Sequence, residues 1–357
     1  MLVEEASKIS AAVARGLTNP IGDPPQQGLA AEPGWITANE LVVELASVRL
    51  RRFGQSEKRR PILVCAPFAL HAATLTDIAT GHSLVQALKA ATQRPVYVTD
   101  WRSADPEMGS RTIDDYLADL NVLIDEVGGG VDLVGLCQGG WMGLVYTARF
   151  PHKVHKLVLA GAPVDIAAAE SELTQLARST PIGVFKELVA LGAGRILGRH
   201  LVRCWVPQSL DIAAINAILQ LEDGTESDAL QHLAARFREW YGWTMDLPGR
   251  YYLQVVERIY LNNEIPSGRF VALGHRIDLS SVQVPIFVLA ARDDRVVAPA
   301  QAFAVEHLVG TPPAAIACAA SSCDHLGLFM GRRTLGNEWL KIGRWLAESD
   351  AALPDAA

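Results

Sequence analysis

The stretch Val131-Asp132-Leu133-Val134-Gly135-Leu136-Cys137-Gln138-Gly139-Gly140 decides how this chain is read. Its apolar, β-branched opening predicts a buried strand over 131–135, and the periodic segment 138–149 predicts a helix. Between them lies Gly-x-Cys-x-Gly, a sharp strand-to-helix turn with a nucleophile at its tip, and cysteine stands where serine is commoner. The glycines have a steric reason. A nucleophile on a strained turn requires flanking positions that let strand and helix pass close together, and Gly140 extends that close approach. The helix also aims its positive end at the Cys137 sulfur, which favours the thiolate.

Working outward, strands are expected at 41–50, 61–67, 96–99 and 156–160, with a helix over 113–127. Apolar strands alternating with helices predict a mostly parallel sheet covered on both faces. From about 165 to 278 the strand rhythm gives way to helical periods, which reads as an inserted helical cap. Strands return at 284–290 and 314–319, followed by an amphipathic helix over 335–346. Residues 1–17 have helical spacing before a turn-rich stretch. The expected organisation is an N-terminal helix and linker (1–34), a first core part (35–165), the cap (166–278) and a second core part (279–357).

Composition bounds the function. The 357 residues are 50% hydrophobic, and 32 Lys and Arg against 39 Asp and Glu leave a net charge of −7. A globular chain is expected, and the scattered basic residues make no footprint for nucleic acid. Five cysteines, Cys65, Cys137, Cys204, Cys318 and Cys323, lack C-x-x-C spacing. They read as reduced thiols, with no metal site. Glu4 and Glu5 stand where a secretory signal needs basic then apolar residues, and no run reaches the roughly 18 apolar residues of a span. The expectation is a soluble, cytoplasmic protein with no transmembrane segment.

Partners for Cys137 are sought past the ends of the later strands. In α/β-hydrolases the chain order is nucleophile, acid, histidine. Here the strand at 284–290 leads into Asp293-Asp294, and the strand at 314–319 leads into Asp324-His325. His325 is the expected base. Asp294 is the preferred carboxylate, with Asp293 as its rival because neighbouring side chains on an extended loop point apart; Asp324 is adjacent to the histidine it would have to orient. His71 and His82 follow the strand at 61–67, so one of them is a candidate to face the pocket. An oxyanion would be met by the backbone N–H of Gln138 and an N–H from Phe68-Ala69. The expected reaction class is acyl transfer, and a thiol suits exchange with a thioester. Trp240, Tyr241, Trp243, Tyr251 and Tyr252 form a cap cluster that either packs as core or walls an acyl channel.

Taken together these residues resemble the polyhydroxyalkanoate synthases, particularly their short two-subunit class. The resemblance runs from about 37 to 346 and rests on V-Y-V-T-D-W-R at 96–102, I-D-D-Y-L at 113–117, G-L-C-Q-G-G at 135–140 and A-P-V-D at 162–165. It continues in W-T-M-D at 243–246, D-L-S-S-V-Q-V-P at 278–285 and D-D-R-V-V-A-P at 293–299. It implies an α/β-hydrolase core with a helical cap and a triad of Cys137, Asp294 and His325. The implied activity is transfer of a 3-hydroxyacyl group from coenzyme A, as substrate rather than cofactor, to the thiol and then to a growing polyester. A second synthase subunit, homo-oligomerisation and association with polyester granules are further implications. Trp243, Trp141 and His71 are the expected substrate-binding residues. The chain departs from the family pattern at Arg295, at Asp324, at Trp141 and at A-L-H-A-A-T over 69–74, positions expected to line the entrance. An intracellular polyhydroxyalkanoate depolymerase or 3-hydroxyacid esterase shares Cys-Gln and is the alternative enzyme. A silent granule- or partner-binding homologue is the alternative of another class.

Overall fold

The computed structural model describes residues 31–55, 59–205, 211–221 and 227–348. The helix expected at 1–17 lies outside them. Eight strands form one sheet: β1 (Glu40–Glu44), β2 (Val48–Phe53), β3 (Ile62–Cys65), β4 (Val96–Trp101), β5 (Val131–Leu136), β6 (Val154–Ala160), β7 (Ile286–Ala291) and β8 (Ile316–Ser321). Their order is β1-β2-β4-β3-β5-β6-β7-β8. From β4 to β8 all pairings are parallel, while β2 runs antiparallel to both neighbours. This is the α/β-hydrolase architecture. The central strands ILVC, VDLVGL and IFVLAA are buried along their whole length, as a sheet covered on both faces requires.

One expected strand is corrected. The segment 41–50 is not a single strand but the antiparallel hairpin of β1 and β2, closed where the Leu45 N–H donates to the Val48 carbonyl at 2.8 Å. The connection Leu45-Ala46-Ser47 contains no Gly, Pro or Asn, so the turn leaves no mark on the sequence.

The helices that cover the sheet are α1 (Leu84–Thr92), α2 (Ile113–Glu126), α3 (Gln138–Arg149) and, near the C-terminus, α10 (Arg332–Ala347). Thr112 and Asp115 form a capping box that fixes where α2 begins. Between β6 and β7 come α4 (Glu172–Ser179), α5 (Ile182–Leu191), α6 (Gly198–Trp205), α7 (Ile212–Leu219), α8 (Ser227–Gly242) and α9 (Gly249–Gln254), the last running into a π-helical turn at Val255–Leu261. This stretch is not free of strands, as its sequence suggested. Leu247–Pro248 pairs with Arg195–Ile196, and Val271–Ala272 pairs with His275–Arg276. Pairs of two residues are too short to impress a period of two on the sequence. Among the described residues no helix is long and apolar enough to cross a membrane.

Candidate active site

Strand β5 delivers Cys137 at φ 48° and ψ −114°, a left-handed backbone that an L residue adopts only under constraint. The glycines around it allow the turn. A Cβ on Gly135 would lie 2.6 Å from the Gly139 carbonyl, one on Gly139 would lie 2.0 Å from the Cys65 carbonyl, and one on Gly140 would lie 2.3 Å from Ala162 Cβ. Helix α3 thus packs directly across the ends of β3 and β5. Gln138 opens that helix, so its N–H has no acceptor within the helix and points toward the turn.

Past β7, Asp294 is buried and its carboxylate is fully engaged. Oδ1 accepts the N–H groups of Val296 and Val297, each at 2.8 Å, and Oδ2 stands 2.7 Å from His325 Nδ1. Asp293 is exposed, which separates the two candidates left open by the sequence. His325, from the loop after β8, is itself buried and lines the same cavity as Cys137. Burial alone lowers its pKa, but the Asp294 carboxylate and Cys137 outweigh that and hold the imidazole well above its ordinary value. Phe329 stands edge-on to the ring at 5.3 Å, and a Cβ on Gly161 would come within 3.2 Å of it. Asp324 accepts the Gly327 N–H at 2.7 Å, closing a turn instead of orienting the imidazole.

Cys137 and His325 open onto a cavity of about 290 Å³. Phe68, Ala69 and His71 line it from the loop after β3, and Phe185, Tyr241 and Tyr252 line it from the helices between β6 and β7. That volume lies at the low end of the roughly 300–1,000 Å³ of small-molecule sites. Of the cap aromatics, Trp240, Tyr241, Tyr251 and Tyr252 reach the cavity. Trp243 does not line it; its carbonyl lies 3.3 Å from His71 Nδ1. His82 is turned away, with Nδ1 2.8 Å from the Met330 carbonyl.

Two further expectations are corrected. Trp141 does not line the entrance: its ring is wholly buried against Phe270, and its indole N–H donates to Gln138 Oε1. It sits one turn into α3 in the buried core, so its bulk is a packing choice. Arg295 is exposed, 3.5 Å from Glu172, and does not line the cavity. Tyr260 carries no signal in the sequence; its hydroxyl accepts from Gln138 Nε2 at 3.1 Å and so fixes the side chain beside Cys137. Burial keeps that phenol protonated. A π-helical turn is a frequent mark of functional positions, but nothing in 255–261 announces one.

A cysteine on a sharp strand-helix turn, an acid-histidine pair on later loops and a covering helical segment define an α/β-hydrolase-fold enzyme. Solved structures bear out the fold. A monoacylglycerol lipase from Paleococcus ferrophilus superposes with TM-score 0.54 at 16% identity, covering 84% of this chain and 98% of its own. An epoxide hydrolase from Bacillus megaterium gives 0.51 at 12% identity, covering 85% and 98%. The chain belongs to the family described as "Protein of unknown function (DUF3141)", whose model matches residues 44–344. It is also similar to curated subunits PhaC of poly(3-hydroxyalkanoate) polymerase. The one from Synechocystis sp. is 28% identical over 336 residues, covering 87% of this chain and 85% of the relative. That from Allochromatium vinosum is 27% identical over 283 residues, covering 77% of each. In Haloferax mediterranei the figure is 23% over 320 residues, covering 87% of this chain and 64% of the relative.

Proposed function

We propose that this chain is a cysteine-dependent acyltransferase that takes a 3-hydroxyacyl group from a coenzyme A thioester onto Cys137 and passes it to the hydroxyl end of a growing polyester. The observation that carries the reading is the His325–Asp294 pair at 2.7 Å, its imidazole lining one cavity with a cysteine held at φ 48° on the strand-helix turn. The likeness to polymerase subunits supports the substrate class.

The chemistry follows from the atoms available. Asp294 binds Nδ1–H of His325 and leaves Nε2 to take the Cys137 proton. The sulfur adds to the thioester carbonyl, and the resulting oxyanion meets the Gln138 N–H and an N–H of the Phe68-Ala69 loop. Collapse of the adduct expels the coenzyme A thiolate, which His325 protonates. A chain-end hydroxyl then adds to the acyl-enzyme, its proton passes to His325, and Cys137 departs as the leaving group. Other described thiols are poor competitors: burial pushes Cys65 up to about 12, and burial with the nearby Glu306 carboxylate pushes Cys318 up to about 12.

Purified protein given 3-hydroxybutyryl-coenzyme A tests the reading. The expected result is release of coenzyme A thiol together with polyester, and a mass increase of one acyl group on the peptide containing Cys137. Cys137→Ala should abolish release while leaving the circular dichroism spectrum and melting temperature near wild type. Free 3-hydroxybutyrate in place of polymer would assign hydrolysis; substantial release by the alanine variant would reject the nucleophile.

A further inference from the structure

We propose that His71 is a substrate-positioning residue whose Nε2 accepts a hydrogen bond from a hydroxyl carried by the acyl chain in the cavity beside Cys137. The inference rests on the acyl-transfer reading above and names what the same cavity selects.

His71 lines the cavity shared by Cys137 and His325, and its Nδ1 lies 3.3 Å from the Trp243 carbonyl. A carbonyl only accepts, so in the neutral ring Nδ1 carries the hydrogen and Nε2 carries a lone pair. The ring has little freedom to turn. Its centroid is 4.7 Å from that of Trp240 and 4.7 Å from that of Tyr241, the second in a stacked arrangement. Burial, opposed in part by the Trp243 contact, lowers its pKa to about 4, so near neutral pH it is an acceptor without charge.

The surroundings make that acceptor conspicuous. The Trp240 indole N–H is spent on the Ala72 carbonyl at 3.0 Å, and Leu75, Leu247, Val256 and Phe329 contribute hydrocarbon to the lining of the same cavity. A fixed acceptor in an apolar wall strongly favours a ligand that brings a donor over one that leaves it unpaired. His71 also follows Phe68 by three residues, so its backbone lies within roughly 10 Å of the expected oxyanion loop.

The test compares 3-hydroxybutyryl-coenzyme A with butyryl-coenzyme A, which differ only in the hydroxyl. Wild type should acylate Cys137 on the order of tenfold to a hundredfold faster with the hydroxylated thioester, read as kcat/KM or as the rate of acyl-enzyme formation by mass spectrometry. His71→Phe keeps the ring packing and should reduce that ratio to near one, chiefly by slowing the hydroxylated substrate. His71→Asn keeps a donor toward Trp243 without an acceptor at the Nε2 position and should behave like His71→Phe. His71→Gln can place an amide oxygen near Nε2 and should recover part of the preference. An unchanged ratio in His71→Phe, or an equal loss with both thioesters, would overturn the proposal. Failure of the transfer reading is seen separately: calorimetry on Cys137→Ala protein would still show tighter binding of the hydroxylated thioester that depends on His71, with no acylation of the wild type. Absence of that binding preference would remove the subsite as well.

Discussion

At the scale of single residues, the geometry assigns different consequences to two adjacent acids. Both oxygens of Asp294 are occupied, by two backbone N–H groups and by His325, whereas Asp293 faces solvent. Asp294→Asn presents an amide that cannot favour the same imidazole tautomer and charge. Turnover, measured as steady-state thiol release, should fall on the order of 10³–10⁴-fold, while Asp293→Asn stays near wild type. A larger loss from Asp293→Asn would show the carboxylate to be misassigned. The same contact has a pH signature. His325 is raised in the folded protein despite burial, because Asp294 and Cys137 favour the charged ring. Its stabilising contribution is therefore complete below the ordinary value of about 6.5 and is lost as pH rises through the folded value. Urea midpoints of wild type and Asp294→Asn should differ more at pH 6 than at pH 10. The reverse trend would mean that Asp294 does not hold the proton on His325.

At the scale of elements, the turn between β5 and α3 was legible because each glycine answers a steric need that composition cannot hide. Helix α3 crosses the end of β3 so closely that a Cβ on Gly139 would sit 2.0 Å from the Cys65 carbonyl, an atom held by the strand. Gly139→Ala must push helix and strand apart. It should lower unfolding free energy by about 1–3 kcal/mol, as overpacking does. It should also slow iodoacetamide labelling of Cys137 by moving the sulfur off its helix end. Wild-type midpoint and labelling rate in this variant would show the turn to have slack. Elements without such necessity escaped the sequence. The β1–β2 hairpin turns through Leu45-Ala46-Ser47, ordinary residues in an alternating run. Trp141 was misplaced for a related reason: the period of a helix says which residues share a face, not whether a residue on it packs into the core, as Trp141 does against Phe270, or lines a cavity.

At the scale of the whole molecule, the covering helices are fastened to the loops that line the candidate site. Met245 N–H donates to the Leu70 carbonyl at 2.8 Å, and Trp240 reaches Ala72, so the loop after β3 is held by the cap. The histidine loop is held by a different device. Gln220, at the end of α7 with φ 55°, donates to Thr334 Oγ1 at 2.9 Å and accepts the Thr334 N–H at 2.8 Å; Thr334 in turn meets Ser321 at 2.8 Å and Cys323 at 3.7 Å. The Gln220–Thr334 junction was not visible in the sequence, because it joins residues 114 apart whose types are common anywhere. All four side chains are buried, so a partner removed is not replaced by bulk water. Gln220→Ala leaves the Thr334 N–H unsatisfied next to the segment that presents His325. It should cost about 1–3 kcal/mol in urea unfolding and, because the segment loosens, lower kcat while KM changes little. Gln220→Glu retains the acceptor for the Thr334 N–H and should recover part of the stability. A stability loss with kcat intact would mean that this junction fastens the cap without setting the position of the imidazole.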